Sequence, residues 1–180
     1  MIVFIGWRVI KLKTGTFDLS GIRKSAPQET ETNKHKLFNT SFEMAMRILL
    51  LTSCLPEMCF SRTRLVVLDF MSCYAKNFDL LSRNLHGDND FMYAEMAGRQ
   101  SLVVEAIKKL VRQEILEVRI DKGYFYKITN YGIQLSSKFS STYAKEYCTA
   151  AALALQKYGY KSDEKLLNII HTRSIKNIKE

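Results

Sequence analysis

The sequence predicts a mainly α fold with a small β-hairpin, and three features of residues 99–132 carry that prediction. Residues 99–113 (RQSLVVEAIKKLVRQ) place Val103, Ile107, Leu110 and Val111 at i, i+4, i+7 and i+8, one apolar face of a helix. Residues 116–120 (LEVRI) alternate apolar and charged side chains, as a half-buried strand does, and Asp121-Lys122-Gly123 supplies a turn in which glycine is free to take positive φ. Residues 124–128 (YFYKI), rich in aromatics, suit the return strand, and Thr129 can cap a further helix. A helix followed by a hairpin is the second half of a winged helix-turn-helix. The expected fold is therefore a winged helix-turn-helix core with extra C-terminal helices. Such a fold binds duplex nucleic acid or another protein and rarely carries chemistry.

The remaining elements follow in order. Val3, Ile5, Trp7 and Val9 recur at period 2, with a turn at Thr14-Gly15-Thr16, so residues 1–24 read as extended and suited to ordering on a partner. Residues 25–36 hold no large apolar side chain and read as a linker. At Thr40-Ser41-Phe42-Glu43 a capping box opens a helix that runs to about Cys54, with Pro56 closing it. Ser61 caps a second helix over 62–77, apolar nearly all round and so central to the fold. Residues 78–97 are less regular, with a loop at 85–90. Beyond the hairpin come helices at 130–138 and at 141–158, the latter with small Ala150, Ala151, Ala152 and Ala154 and ended by Gly159. A last helix capped by Ser162 carries Leu166, Leu167, Ile169 and Ile170. The expected organisation is an N-terminal segment and linker over 1–36, a winged-helix domain over 37–138, and a helical extension over 139–180.

Charge points to the class of partner. The chain has 27 Lys and Arg against 18 Asp and Glu, a formal net charge of +9. Residues 1–36 carry 7 basic and 3 acidic groups, 37–97 carry 5 and 7, 98–138 carry 8 and 4, and 139–180 carry 7 and 4. The hairpin segment and both ends are basic, which favours phosphate contacts, although general solubility explains such a balance too. Cys54, Cys59 and Cys73 sit in apolar runs, Cys148 stands apart, and none forms a C-x-x-C pair, so free thiols in a reducing compartment are expected. The opening apolar run is too short to span a bilayer and lacks the features of a signal peptide, leaving the cytoplasm as the expected location, with no membrane partner.

Catalytic patterns are scarce. The sequence contains no glycine-rich phosphate loop, no H-E-x-x-H and no G-x-S-x-G. Asp88 and Asp90 flank Asn89 in what reads as a solvated turn, with His86 beside them as a surface residue. No nucleophile–base pairing stands out, and neither a metal, a cofactor nor enzymatic activity is expected. A binding surface is better motivated. Arg99, Lys108, Lys109, Arg112, Lys122 and Lys127 are the candidate contacts to double-stranded DNA, with helix 99–113 facing a groove and the hairpin touching backbone. Glu105, Glu114 and Glu117 oppose base-specific reading. Trp7, Leu37, Phe38 and Phe42 are the candidate partner-binding residues.

The runs LFNTSFE (37–43), AMRILLL (45–51) and RLVVLDF (64–70) resemble the middle component of bacterial ABC-three-component defence systems, which include Lamassu-type anti-phage and anti-plasmid systems. That family's opening motif is similar to LFN, Ser or Thr, Pro, Phe or Leu, Glu. It continues with RIL-LL and with L-x-x-L-D before Tyr or Phe, matched here by Leu65, Leu68, Asp69 and Phe70. Gly98-Arg99 and residues 103–118 resemble the family's following helix and strand, and the likeness runs to about Lys138. Ser41 stands where the pattern has proline, and Glu114-Ile115 where it commonly has Gly-Leu. The resemblance implies a small non-catalytic subunit that joins an ATPase similar to structural-maintenance-of-chromosomes (SMC) proteins and a nuclease-type effector, and helps hold DNA. Two other readings stand beside it. One is a stand-alone winged-helix transcription regulator dimerising through its long 141–158 helix. The other is a protein adaptor that never touches nucleic acid.

Overall fold

Short polar side chains set where the helices begin. The computed structural model describes residues 40–179, with side chains as far as Ile175. Residues 1–39, with Trp7, Leu37, Phe38 and the expected N-terminal strand and linker, lie outside the described residues. Helix α1 (Ser41–Ser53) starts where Thr40 Oγ1 accepts from the Glu43 amide at 3.1 Å. Helix α2 (Arg62–Cys73) starts where Ser61 Oγ accepts from Arg64 at 3.0 Å. Thr129 caps α4 (Asn130–Ser136) and Ser141 caps α5 (Thr142–Tyr158), each accepting at 3.1 Å. Ser162 caps α6 (Asp163–Lys179), accepting from the Lys165 amide at 3.3 Å. Each such cap stabilises its helix by about 1 kcal/mol.

Helix α3 (Met92–Arg112) begins at Met92 rather than at Arg99. The reason is periodic: Met92, Met96, Arg99, Val103, Ala106, Ile107 and Leu110 form one continuous buried stripe, and Ala94, Glu95 and Ala97 are good helix formers. Helix α2 stops at Cys73, short of the expected Asn77, and the chain turns through a 3₁₀ segment (Ala75–Phe78) to Asp79, which is left-handed at φ 53°.

Among the described residues the architecture is six helices and one antiparallel sheet. Strand β1 (Phe60–Ser61) pairs with β3 (Tyr124–Ile128), and β3 with β2 (Leu116–Ile120), in the order β1-β3-β2. The sheet thus has one strand more than the expected hairpin. Helix α2 runs through the centre, with every residue from Leu65 to Cys73 buried. Helices α5 and α6 add to the same core through Tyr147, Ala151, Ala154, Leu155 and Leu166.

Two backbone devices fix the hairpin against α3. The helix ends with the Ile115 amide bonded to the Leu110 carbonyl at 2.9 Å and the Glu114 amide to that of Val111 at 3.0 Å, a Schellman arrangement. It requires a left-handed residue, and Glu114 takes that role at φ 57°. Gly132 of α4 lies against the same corner, where a Cβ would stand 2.6 Å from the Ile115 carbonyl oxygen. At the hairpin tip Gly123 takes the expected positive φ, at 158°, and Lys122 before it is left-handed at 49°.

Candidate docking and nucleic-acid interface

The family motifs noted in the sequence meet in the interior. Asp69, on α2, is fully buried. It accepts from Arg47 Nε of α1 at 2.8 Å, from Arg99 Nη1 of α3 at 2.7 Å and from the Tyr147 hydroxyl of α5 at 2.8 Å. One carboxylate thus ties four helices. Burial opposes its ionisation, but the two guanidiniums and the Tyr147 hydroxyl outweigh burial and hold the carboxyl below its ordinary range. Arg47 reaches onward to Glu43 at 2.9 Å. Arg99 Nη2 stands 3.6 Å from Glu95, with its guanidinium 5.5 Å from the Phe70 ring centroid and 5.6 Å from that of Tyr74. Asp69 has its acceptor capacity committed and serves as a fastening. Sequence reasoning missed Arg47 and Asp69 as a pair, although a lone aspartate in an apolar helix and an arginine on the matching face of another were the available signals.

Arg99 therefore departs from its expected place. It was expected to face DNA, but it lies on the buried stripe of α3, and freeing it for a phosphate would take from buried Asp69 one of its two guanidinium partners. His86 departs as well. It is half-buried, 3.0 Å from the Tyr143 hydroxyl and in edge contact with Tyr74. Burial, and then the nearby charges of Arg47 and Arg99, push its pKa down to about 4.

The other basic candidates lie outward in differing degree. Lys108 and Arg112 are exposed one turn apart on α3, Lys108 pairing with Glu105 at 2.9 Å. Lys109 is half-buried and donates to Ser41 Oγ at 2.7 Å. Lys122 is exposed at the hairpin tip. Lys127 is half-buried and pairs with Glu57 at 2.9 Å, binding β3 to the loop after α1. Phe42 is exposed on the first turn of α1.

The hairpin shows a feature that composition alone did not reveal. Cross-strand partners share a face, so Leu116 with Ile128, Val118 with Tyr126 and Ile120 with Tyr124 form one ladder. Its base is core, but its exposure rises outward: Leu116 is 2% exposed, Val118 41%, Ile120 78% and Tyr124 67%. Strand β2 is also the sheet edge, with one side of its backbone unpaired within the sheet. The hairpin thus carries apolar side chains into water beside Lys122.

A concavity of about 750 Å³ is bordered by Asp79, Lys157, Lys161, Asn168, Thr172 and Arg173. Arg173 binds the Asn77 carbonyl and the Asp79 carboxylate, and Lys157 binds the Phe78 carbonyl at 3.1 Å. Those two cations thereby fasten α5 and α6 to the 3₁₀ turn.

Among the described residues no helix is long and apolar enough to cross a membrane, and no group of three or more His, Cys, Asp or Glu could hold a metal ion. No curated protein and no solved structure matches the chain. A family model does match, over residues 37–180, which include the whole Arg47–Asp69–Arg99 network and the hairpin. The chain belongs to the ABC-three component (ABC-3C) system Middle Component 2 family.

Proposed function

We propose that the protein is a non-catalytic accessory subunit of a defence complex, docking onto an SMC-like ATPase and linking it to a nuclease-type effector. The family match over residues 37–180 carries this reading, because a middle component implies companion subunits. The element order α1-β1-α2-α3-β2-β3, with β1 on β3, supports a winged-helix arrangement for residues 37–138. In that arrangement α3 and the hairpin are the working surfaces. Lys108, Lys109, Arg112, Lys122 and Lys127 supply positive potential to DNA, and Trp7, Leu37, Phe38 and Phe42 contribute partner contacts. The buried side of α5 argues against its use as a dimerisation helix of a lone regulator, since Ala144, Tyr147, Ala150, Ala151, Ala154 and Leu155 face the chain's own core.

One observation favours the adaptor as a second reading. The apolar ladder ending at Ile120 and Tyr124 suits a protein better than a phosphate backbone. Co-expression with a neighbour-encoded ATPase tests the main proposal. Joint elution from a sizing column is the expected result, and separate elution contradicts it. Charge reversal at Lys108, Arg112 and Lys122 in the assembled complex then separates the two readings. DNA retention falls if these residues touch the duplex and is unchanged if the chain is an adaptor only.

A further inference from the structure

Strand β2 reads LEVRI, and reversing it keeps the apolar positions while exchanging its one acid for its one base. It is an edge strand, exposed from Glu117 to Ile120. Edges are commonly blunted by proline or a bulge. Here the strand holds no proline, and its register with β3 runs unbroken from Leu116 to Ile120. The Thr129 amide bonds the Ile115 carbonyl at 3.0 Å, and the Asp121 amide bonds the Gly123 carbonyl at 3.1 Å. These bonds mark the odd-numbered residues as the ones whose backbone groups turn to β3. Alternation along an antiparallel pair then turns the amides and carbonyls of Leu116, Val118 and Ile120 outward. On the face opposite the apolar ladder, Glu117 and Arg119 pair with each other at 2.7 Å.

We propose that the protein pairs with a second copy of itself, β2 to β2, edge to edge and antiparallel, with Val118 of each copy on the two-fold axis. In that register Leu116 of one copy faces Ile120 of the other, and the outward backbone groups of Leu116, Val118 and Ile120 all find partners. Glu117 of each copy faces Arg119 of the other, so both charged positions are matched by opposite charge. Moving the axis to Glu117 or to Arg119 sets like charges directly opposite, so charge selects Val118. Two three-stranded sheets become one. The pairing does not depend on the companion subunits of the proposed complex. It uses the edge of β2 and leaves the ladder's face open, joining the two ladders into one apolar surface with Tyr124 at each end.

Sedimentation equilibrium of the full chain alone, over a concentration series, tests this. The mass is expected to rise from one chain to two. Glu117→Arg and Arg119→Glu each place like charges opposite on both sides of the axis, and each is expected to weaken self-association by about tenfold or more. Mixed together, the two variants regain opposite charges at every facing position, and a mixed pair with close to wild-type affinity is expected. If either variant fails to fold, hydrogen exchange on the wild-type chain decides. The Val118 and Ile120 amides are expected to slow as concentration rises, while those of Glu117 and Arg119, already turned to β3, stay as they are. A single chain at every concentration overturns the proposal and leaves the edge to another protein's strand. Unchanged pairing by both folded variants, a mixture that does not pair, or Val118 and Ile120 amides indifferent to concentration would overturn it as well.

Discussion

Around Asp69, charged groups sit out of water, each matched by an opposite charge. At the far end of the hairpin, apolar groups sit in water, left uncovered by the described residues. Arg47, Asp69 and Arg99 are each no more than 1% exposed, whereas Ile120 and Tyr124 are 78% and 67% exposed. Both arrangements run against the usual sorting of side chains, but they differ in consequence. The interior network is closed in charge: each ion is paired within the chain, although Arg99 Nε and Nη2 make no hydrogen bond, and the pairs fix how α1, α2, α3 and α5 meet. The hairpin ladder is open, since its outer rungs gain by burial only when something else covers them. Charge inside ties helices of the chain to one another, and the apolar surface outside is what the proposed assembly would cover.

Breaking the closed side has the largest expected effect. Asp69→Asn removes the carboxylate that two buried guanidiniums share, leaving Arg47 only Glu43 and Arg99 only Glu95 at 3.6 Å, and a loss of about 3–5 kcal/mol in urea unfolding is expected. Gly132→Ala forces a methyl group against the Ile115 carbonyl oxygen at the hairpin corner, with an expected loss of about 1–3 kcal/mol. A wild-type melting temperature in either variant would show that the corner or the network is slack.

The pH dependence sharpens the same contrast. His86 has its pKa lowered to about 4 by burial and then by Arg47 and Arg99, with Asp69 and Glu43 acting the other way. The unfolded imidazole, near about 6.5, takes up a proton before the folded one does, so stability is full above that pH and declines as pH falls towards 4. Allowing for partial exposure, the decline is on the order of 1–2 kcal/mol, and His86→Gln flattens it. Asp69, with its pKa lowered, keeps its contribution through this window and loses it only at more acid pH. The smallest effect is a gain. Glu114→Gly relieves a left-handed residue at the end of α3 and raises stability by about 1 kcal/mol.

Five of the six helix starts were legible in the sequence because capping is local: Thr40, Ser61, Thr129, Ser141 and Ser162 cap helices near the expected points, whereas α3 has no side-chain cap and starts before the expected residue. The family was legible for a related reason, since its motifs include Arg47, Asp69 and Arg99, which meet in space. The burial of Arg99 was missed because charge was weighed ahead of period, although its spacing to Met96 and Val103 places it on the apolar stripe. Strand β1 has two residues and exists only by pairing with β3, so nothing local announces it. The same holds for the contact of the Cys54 thiol with the Cys148 carbonyl, made across 94 residues of chain. The exposure of the hairpin ladder also depends on what α3 and α4 leave uncovered, which alternation alone does not reveal.

Affinity for the proposed ATPase partner of an Ile120→Asp, Tyr124→Asp double variant tests the docking account most directly, with thermal melting measured on the same sample. The account predicts binding at least about tenfold weaker, the equivalent of 1.4 kcal/mol, with the melt unchanged. Undiminished binding by a normally folded variant would contradict it.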